Sequence, residues 1–307
     1  MKIYPGIIGI DVSKYTLDIF DGSIGQSIQI ANEAAAIAPR IADWTDALVV
    51  FEATGRYDGR LRRALQAAGI RFARVNPSRA RAFAAALGLL AKTDAIDARM
   101  LAAMGQALEL APEHRHDDLR SQLASLHKRR DQLVAMRKQE RTRLSDGDEA
   151  WQLDIERHIA WLSAGIATLE RQCRDLIASH ASLDRLNRLL RSIPGVGPVT
   201  AATLIALLPE LGSRSPKAIA ALAGLAPFNV DSGLFRGQRM IRGGRKRVRD
   251  ALYMAAVTAA RSKSRFRTFL ENLTSKGKPN KLALIALARK ILVTANAVVR
   301  HQIAFQP

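Results

Sequence analysis

The spacing of hydrophobic and polar positions changes twice along this 307-residue chain. In the first quarter the apolar runs are short and end in acids or turn residues. Ile7-Ile8-Gly9-Ile10 leads into Asp11, and Thr16-Leu17-Asp18-Ile19-Phe20 alternates before Asp21-Gly22. Residues 27–31 form a third run, Ala47-Leu48-Val49-Val50-Phe51 leads into Glu52, and 70–75 stops at Asn76-Pro77. Such runs predict five β-strands. Helical spacing occurs at 34–45, at 60–68 (stopped by Gly69), and again at 79–90 and 94–108. Three strands followed by alternating helix and strand predict a mixed α/β sheet.

Beyond residue 112 the pattern becomes a heptad. Ile155, Ile159, Leu162, Ile166, Leu169, Cys173 and Leu176 recur at alternating steps of four and three. Leu119, Leu123, Leu126 and Leu133 begin a similar seam, which Arg130 and Arg137 interrupt, and Ser145-Asp146-Gly147-Asp148 supplies a turn. Residues 113–183 therefore read as a helical coiled-coil hairpin whose seam closes on itself or on a second subunit. Cys173 reads as a core residue. The last part, 184–307, reads as mainly α, with helices at 199–208, 218–225, 247–260 and 281–300 and a largely irregular stretch at 227–244. The expected domains are thus 1–112, 113–183 and 184–307.

Charge narrows the partners. The chain carries 47 Lys and Arg against 28 Asp and Glu, a net charge of +19. Residues 231–307 alone hold 17 basic and 3 acidic side chains. A charge so far from zero opposes compaction unless a polyanion is near, and nucleic acid is the usual one. A solvated basic face is the plainer alternative. A single cysteine excludes an internal disulfide. With no signal-peptide core near Met1 and no apolar run approaching a membrane span, a cytoplasmic protein with no membrane partner is expected. The six histidines lack metal-ligand spacing and read as structural or solvated.

Candidate chemistry lies in the acids. Asp11 and Glu52 each end an apolar strand, so neighbouring strands would bring both to one sheet edge. Asp94 and Asp97 are three residues apart on one helical face, with only Ala95 and Ile96 between them. Crowded carboxylates are costly unless a cation neutralises them. Mg²⁺ favours a few carboxylates plus phosphate oxygens, and a pair of ions suits phosphoryl transfer. Strand-acid, strand-acid, helix-with-two-acids is the arrangement of the RNase H-like nuclease fold, RuvC-type junction resolvases in particular.

Two further features point to DNA. Pro194-Gly195-Val196-Gly197 ahead of a helix resembles a helix-hairpin-helix element. There Gly195 and Gly197 would let backbone amides reach a phosphate. A packing element is the alternative. Ser232, in Asp231-Ser232-Gly233, precedes Arg236, Arg239, Arg242, Arg245, Lys246, Arg247 and Arg249. A serine among cations has the chemistry to attack a phosphodiester, although loop serines are common and no histidine base is close in sequence.

These motifs together resemble a family, the DEDD transposases of bacterial insertion sequences, the group that includes the Piv/MooV pilin-gene invertases. The resemblance rests on Gly9-Ile10-Asp11-Val12-Ser13-Lys14, Phe51-Glu52-Ala53-Thr54-Gly55 and Lys92-Thr93-Asp94-Ala95-Ile96-Asp97-Ala98-Arg99. In the second half it rests on Ile193-Pro194-Gly195-Val196-Gly197, Ala223-Gly224-Leu225-Ala226-Pro227, Asp231-Ser232-Gly233 and Ile241-Arg242-Gly243-Gly244-Arg245. It implies that Asp11, Glu52, Asp94 and Asp97 bind Mg²⁺ in a RuvC-like domain, as two ions that Mn²⁺ is able to replace. It also implies that Ser232 is a nucleophile joining covalently to DNA. Donor and target DNA, a structured non-coding bridge RNA as guide, and dimers pairing into tetramers are the implied partners, and subunits can share an active site. The competing readings are a RuvC-like junction resolvase that hydrolyses DNA with metal-bound water, and a non-catalytic nucleic-acid-binding protein.

Overall fold

The computed structural model describes residues 6–53, 55, 57–88, 94–113, 118–147, 149–228, 231–232, 235–236 and 240–306. For 94–96, 149, 231–232 and 235–236 only the backbone is described. The chain divides into two compact units, Met1–His116 and Asp117–Pro307.

The first unit runs β1 (Ile7–Val12), β2 (Thr16–Asp21), β3 (Gln26–Ala31), α1 (Ala34–Ile41), β4 (Leu48–Glu52), α2 (Gly59–Ala67), β5 (Arg71–Val75), α3 (Pro77–Ala86) and α4 (Asp94–Ala107). The strands form one sheet in the order β3-β2-β1-β4-β5. β1, β2 and β3 pair antiparallel, whereas β4 lies parallel to β1 and β5 parallel to β4. Ser13 shapes the β1–β2 turn. Its Oγ accepts the Thr16 amide at 2.8 Å, and its own amide donates to the Thr16 carbonyl at 3.0 Å.

Period-two alternation sorts the strand residues onto two faces. Ile8, Ile10 and Val12 of β1, with Val49 and Phe51 of β4, pack with Ile37 and Ile41 of α1 and Leu61 and Leu65 of α2. Ile7 of β1, Phe20 of β2 and Val50 of β4 pack on the opposite face with Ala98, Leu101 and Ala102 of α4. Asp11 and Glu52 alternate with the first set and so belong to the α4 face.

The second unit begins with the predicted hairpin, α5 (Asp118–Asp146) and α6 (Glu149–Ala178). Its seam closes on itself: Leu133 meets Leu162 and Ile166 in a small core of their own. The arginines that break the seam reach across the hairpin. Arg130 donates to Glu170 at 2.7 Å, and Arg137 to the Ser163 hydroxyl at 3.1 Å. Nearer the hairpin root, Leu123, Cys173 and Ile177 join the main core of the unit. Cys173 is a buried core thiol, and burial raises its pKa.

That core is completed by α7 (Ala181–Arg191), α8 (Pro198–Leu207), α9 (Pro216–Leu222), α10 (Lys246–Ala259), α11 (Arg265–Thr274) and α12 (Asn280–His301). Helices α7 and α11 were absent from the sequence expectations, although each carries an apolar stripe that buries Leu183, Leu189 and Leu190, or Phe266. The stretch expected to be irregular holds two short antiparallel ladders, one nested in the other. β6 (Pro227–Phe228) pairs with β9 (Met240–Ile241), and β7 (Asp231–Ser232) with β8 (Phe235–Arg236).

Helix α12 corrects another expectation. By length and composition it is apolar enough to cross a membrane, with a mean hydropathy of 1.8. Its Leu287, Ala288, Ile291, Leu292 and Ala295 are instead fully buried against the other helices of the unit. A central core helix is apolar for the same reason a membrane span is.

Candidate active site

The geometry of the first unit converges on the carboxyl edge of β1 and β4. Gly9 pairs with Val50 and Ile10 with Phe51, so Asp11 and Glu52 follow side by side on adjacent parallel strands. Both face α4. That helix crosses β1 at contact distance, because a Cβ on Gly9 would overlap the Ala98 carbonyl and lie 2.7 Å from the Ala102 amide. Farther along α4, a Cβ on Gly105 would lie 2.9 Å from Val50 and 3.1 Å from Ile7. The helix therefore runs opposite to β1, and its first turn, with positions 94 and 97, is carried toward Asp11. Asp11, Glu52 and Asp97 are all half-buried. The Asp94 side chain lies outside the described residues.

Strand pairing adds an acid that the sequence reading passed over. Asp18 is the direct antiparallel partner of Asp11. Its Oδ1 accepts from Gln29 at 2.9 Å, whereas Oδ2 is buried without a hydrogen bond. The alternation of β2 already placed Asp18 on the face of Phe20, and the missing signal was the register across the Ser13 turn. Arg99 of α4 sits over the Phe20 ring, 5.1 Å from its centroid, and supplies a cation beside this edge. Among the described residues no three His, Cys, Asp or Glu side chains approach closely enough to hold a metal ion. As a donor set, hard carboxylate oxygens on one sheet edge suit a divalent cation.

In the second unit, Ser232 pairs with Phe235 in the inner ladder. The side chains of Ser232 and Arg236, and all of Arg239, lie outside the described residues. The remaining cations divide by their contacts. Arg245 makes a bidentate pair with Glu210, at 2.6 Å to each oxygen, and donates to the Leu207 carbonyl at 3.1 Å. Arg249 donates to the Gly243 carbonyl at 2.6 Å, and Lys246 pairs with Asp250 at 2.6 Å. Arg247 pairs with Asp131 at 2.6 Å and donates to the His127 carbonyl at 2.8 Å. Arg242 is exposed and stacks over Phe228, 5.5 Å from the ring centroid. Glu210 lies 35 residues from Arg245, too far for any local pattern to link the two.

The glycines ahead of α8 differ from one another. Gly195 has φ +88°, and a Cβ there would overlap the Ala255 carbonyl of α10. Close approach of α10 accounts for this glycine. Gly197, the N-cap of α8, has open space around its Cα. His127 is buried, with neither ring nitrogen hydrogen-bonded. Burial first, and then Arg247 and Arg130, lower its pKa to about 4.

Both halves of the chain match known proteins. Residues 8–146 match a transposase model of the IS110 DEDD type, and residues 187–271 match the model described as the IS116/IS110/IS902 transposase family. The pilin gene-inverting protein of Moraxella lacunata is 31% identical, with 97% of each chain covered. Its counterpart from Moraxella bovis is equally similar, at 31% with the same coverage. An uncharacterized 44.8 kDa protein of insertion element IS116 from Streptomyces clavuligerus is 30% identical over 50% of this chain and 38% of its own. The chain thus belongs to the IS116/IS110/IS902 family of transposases, enzymes that recombine DNA.

Proposed function

We propose that this transposase cuts and rejoins DNA by two transesterifications at Ser232, assisted by a divalent cation held by Asp11, Glu52, Asp94 and Asp97. The observation that carries the metal assignment is the placement of Asp11 and Glu52 on adjacent parallel strands beneath the first turn of α4. A mixed sheet ordered β3-β2-β1-β4-β5 supports the RNase H-like reading of the first unit.

In the first step Ser232 Oγ gives its proton to solvent and forms a bond to the DNA phosphorus. The bridging P–O bond breaks, and the released DNA oxygen takes up a proton. In the second step a DNA hydroxyl attacks the phosphoserine, restoring the serine and a phosphodiester. Bond energy is conserved through the ester, so no nucleoside triphosphate is required. A bound divalent cation, Mg²⁺ with Mn²⁺ as substitute, would offset the charge that develops on phosphate oxygens. The carboxylates' part is to hold that cation and orient it.

The same reading includes a structured non-coding RNA as guide, donor and target DNA as substrates, and assembly as dimers pairing into tetramers. The excess of basic side chains in residues 231–307 supports polyanionic partners. The similarity to the pilin gene-inverting protein of Moraxella lacunata supports site-specific exchange. Covalent trapping tests the mechanism. Labelled DNA carrying the element ends, denatured after incubation with protein and guide RNA, should migrate with the protein, and Ser232→Ala should abolish that adduct. Free DNA ends produced by an active Ser232→Ala variant would establish hydrolysis instead.

A further inference from the structure

The base of the Ser232 segment forms one wall of a groove of about 600 Å³. Leu225, Pro227, Met240 and Ile241 line that wall, and Leu282 and Ile285 of α12 line the other. Among the described residues its charged lining consists of Lys278, Lys281 and Arg289, with no acid. Among the described residues none of these three cations pairs with a carboxylate. Met240 is 64% and Leu282 48% exposed, a large apolar surface within a strongly basic unit.

This combination selects its occupant. A free anion would satisfy the three cations but leave the apolar lining of Leu225, Pro227, Met240, Ile241, Leu282 and Ile285 uncovered. A docking protein helix would not require three unpaired cations and the absence of any acid. An unpaired nucleotide meets both demands, since its base has an apolar face and its phosphates are anionic. Paired bases in a duplex are already stacked and cannot enter. The volume lies within the range of about 300–1,000 Å³ usual for small-ligand sites. Beside the groove, Phe228 is partly exposed and carries Arg242 over its ring, a surface on which a neighbouring base can stack. In the chain β6 and β9 directly flank residues 229–239, which include Ser232.

We infer that this groove takes an unpaired DNA nucleotide next to the phosphate attacked by Ser232. The inference rests on the DNA-cleaving reading of Ser232 and names where the strand beside the break is held. The cations would bind its phosphates, and Met240 and Leu282 would cover the base.

Equilibrium binding to the full chain tests it, with short fluorescent oligonucleotides of one sequence as single-stranded DNA, duplex DNA and single-stranded RNA. The variant Met240→Gln/Leu282→Asn leaves charge unchanged and alters two exposed positions. Ile303→Asn, an exposed apolar residue outside the groove, is the control. The double variant should bind single-stranded DNA about tenfold more weakly and duplex DNA within about twofold of the parent, with Ile303→Asn unchanged. Equal loss for single strand and duplex, loss confined to RNA, or no loss would each overturn the proposal. All measurements are repeated in Ser232→Ala. A groove effect persisting there, in a protein whose parent forms no covalent adduct, would sink the serine mechanism while leaving the nucleotide site standing. A normal adduct without a groove effect would do the reverse.

Discussion

A Cβ on Gly9 would overlap the carbonyl oxygen of Ala98, so β1 and α4 meet backbone to backbone two residues before Asp11. No side chain fits between them, and the first turn of α4 reaches the strand edge only because position 9 is empty. Gly105 lies on the same helix, but its Cβ would meet the γ-methyls of Val50 and Ile7 rather than backbone.

Gly9→Ala should therefore destabilise the first unit by about 1–3 kcal/mol, the usual penalty of overpacking, because backbone has to move. Gly105→Ala should cost less than Gly9→Ala, since about 1 kcal/mol of helix propensity offsets part of its crowding against the stiff side chains of Val50 and Ile7. Urea denaturation followed by circular dichroism compares the two. Equal losses would show that α4 moves away from β1 freely.

Asp18 lies directly across from Asp11, and like charges in that position destabilise a strand pair. Asp18→Asn keeps the oxygen that accepts from Gln29 and removes the charge. In chelator the variant should melt above the parent. Magnesium should stabilise the parent by about 2.7 kcal/mol at a hundred times its Kd, and Asp97→Asn should lose most of that gain. Thermal melts with and without the ion decide this. If Asp18→Asn matches the parent in both conditions, Asp18 plays no part in the charge balance of the edge.

The five strands and the acid at the end of β1 and of β4 were legible because alternation and a terminal acid are local signals. Asp18 was visible as a residue but not as a neighbour of Asp11, since register depends on how Ser13 closes the turn. Arg130 and Arg137 read as faults in a seam, yet they are its cross-links, and their partners Glu170 and Ser163 lie 40 and 26 residues away. Gly195 read as an opening for phosphate or as a packing element, and the space beside it is filled by α10, 60 residues farther along the chain. Local patterns predicted elements well; contacts made by distant residues required the fold.

The cations after Ser232 formed one basic run in sequence, and the structure separates two of them by work. Arg242→Ala should weaken nucleic-acid binding and reduce the salt slope by about one unit, with little effect on stability. Arg245→Ala should instead leave Glu210 without its bidentate partner and lower the melting temperature. Salt titrations of binding and melts on both variants check this. An unchanged salt slope in Arg242→Ala would mean that its charge is merely solvated.

His127 makes stability depend on pH in a defined window. It is 2% exposed, and its pKa falls to about 4 from 6.5 because burial disfavours the cation, with Arg247 and Arg130 adding to the effect and Glu170 opposing it. Cys173, Arg174 and Asp184 also line the cavity beside it. Because the folded pKa is depressed, the unfolded chain takes up the proton first as pH falls. Stability is complete above pH 6.5 and declines toward pH 4, by about 3 kcal/mol across the window. His127→Leu removes the titrating group while filling similar space, so its urea midpoint should fall less between pH 7 and pH 5 than that of the parent. The neutral ring also leaves two buried nitrogens without partners, so the variant should be at least as stable as the parent at pH 7. A parent and variant that lose stability in parallel on acidification would place the acid sensitivity elsewhere, in carboxylates such as Glu170 and Asp131 that pair with the arginines around the ring.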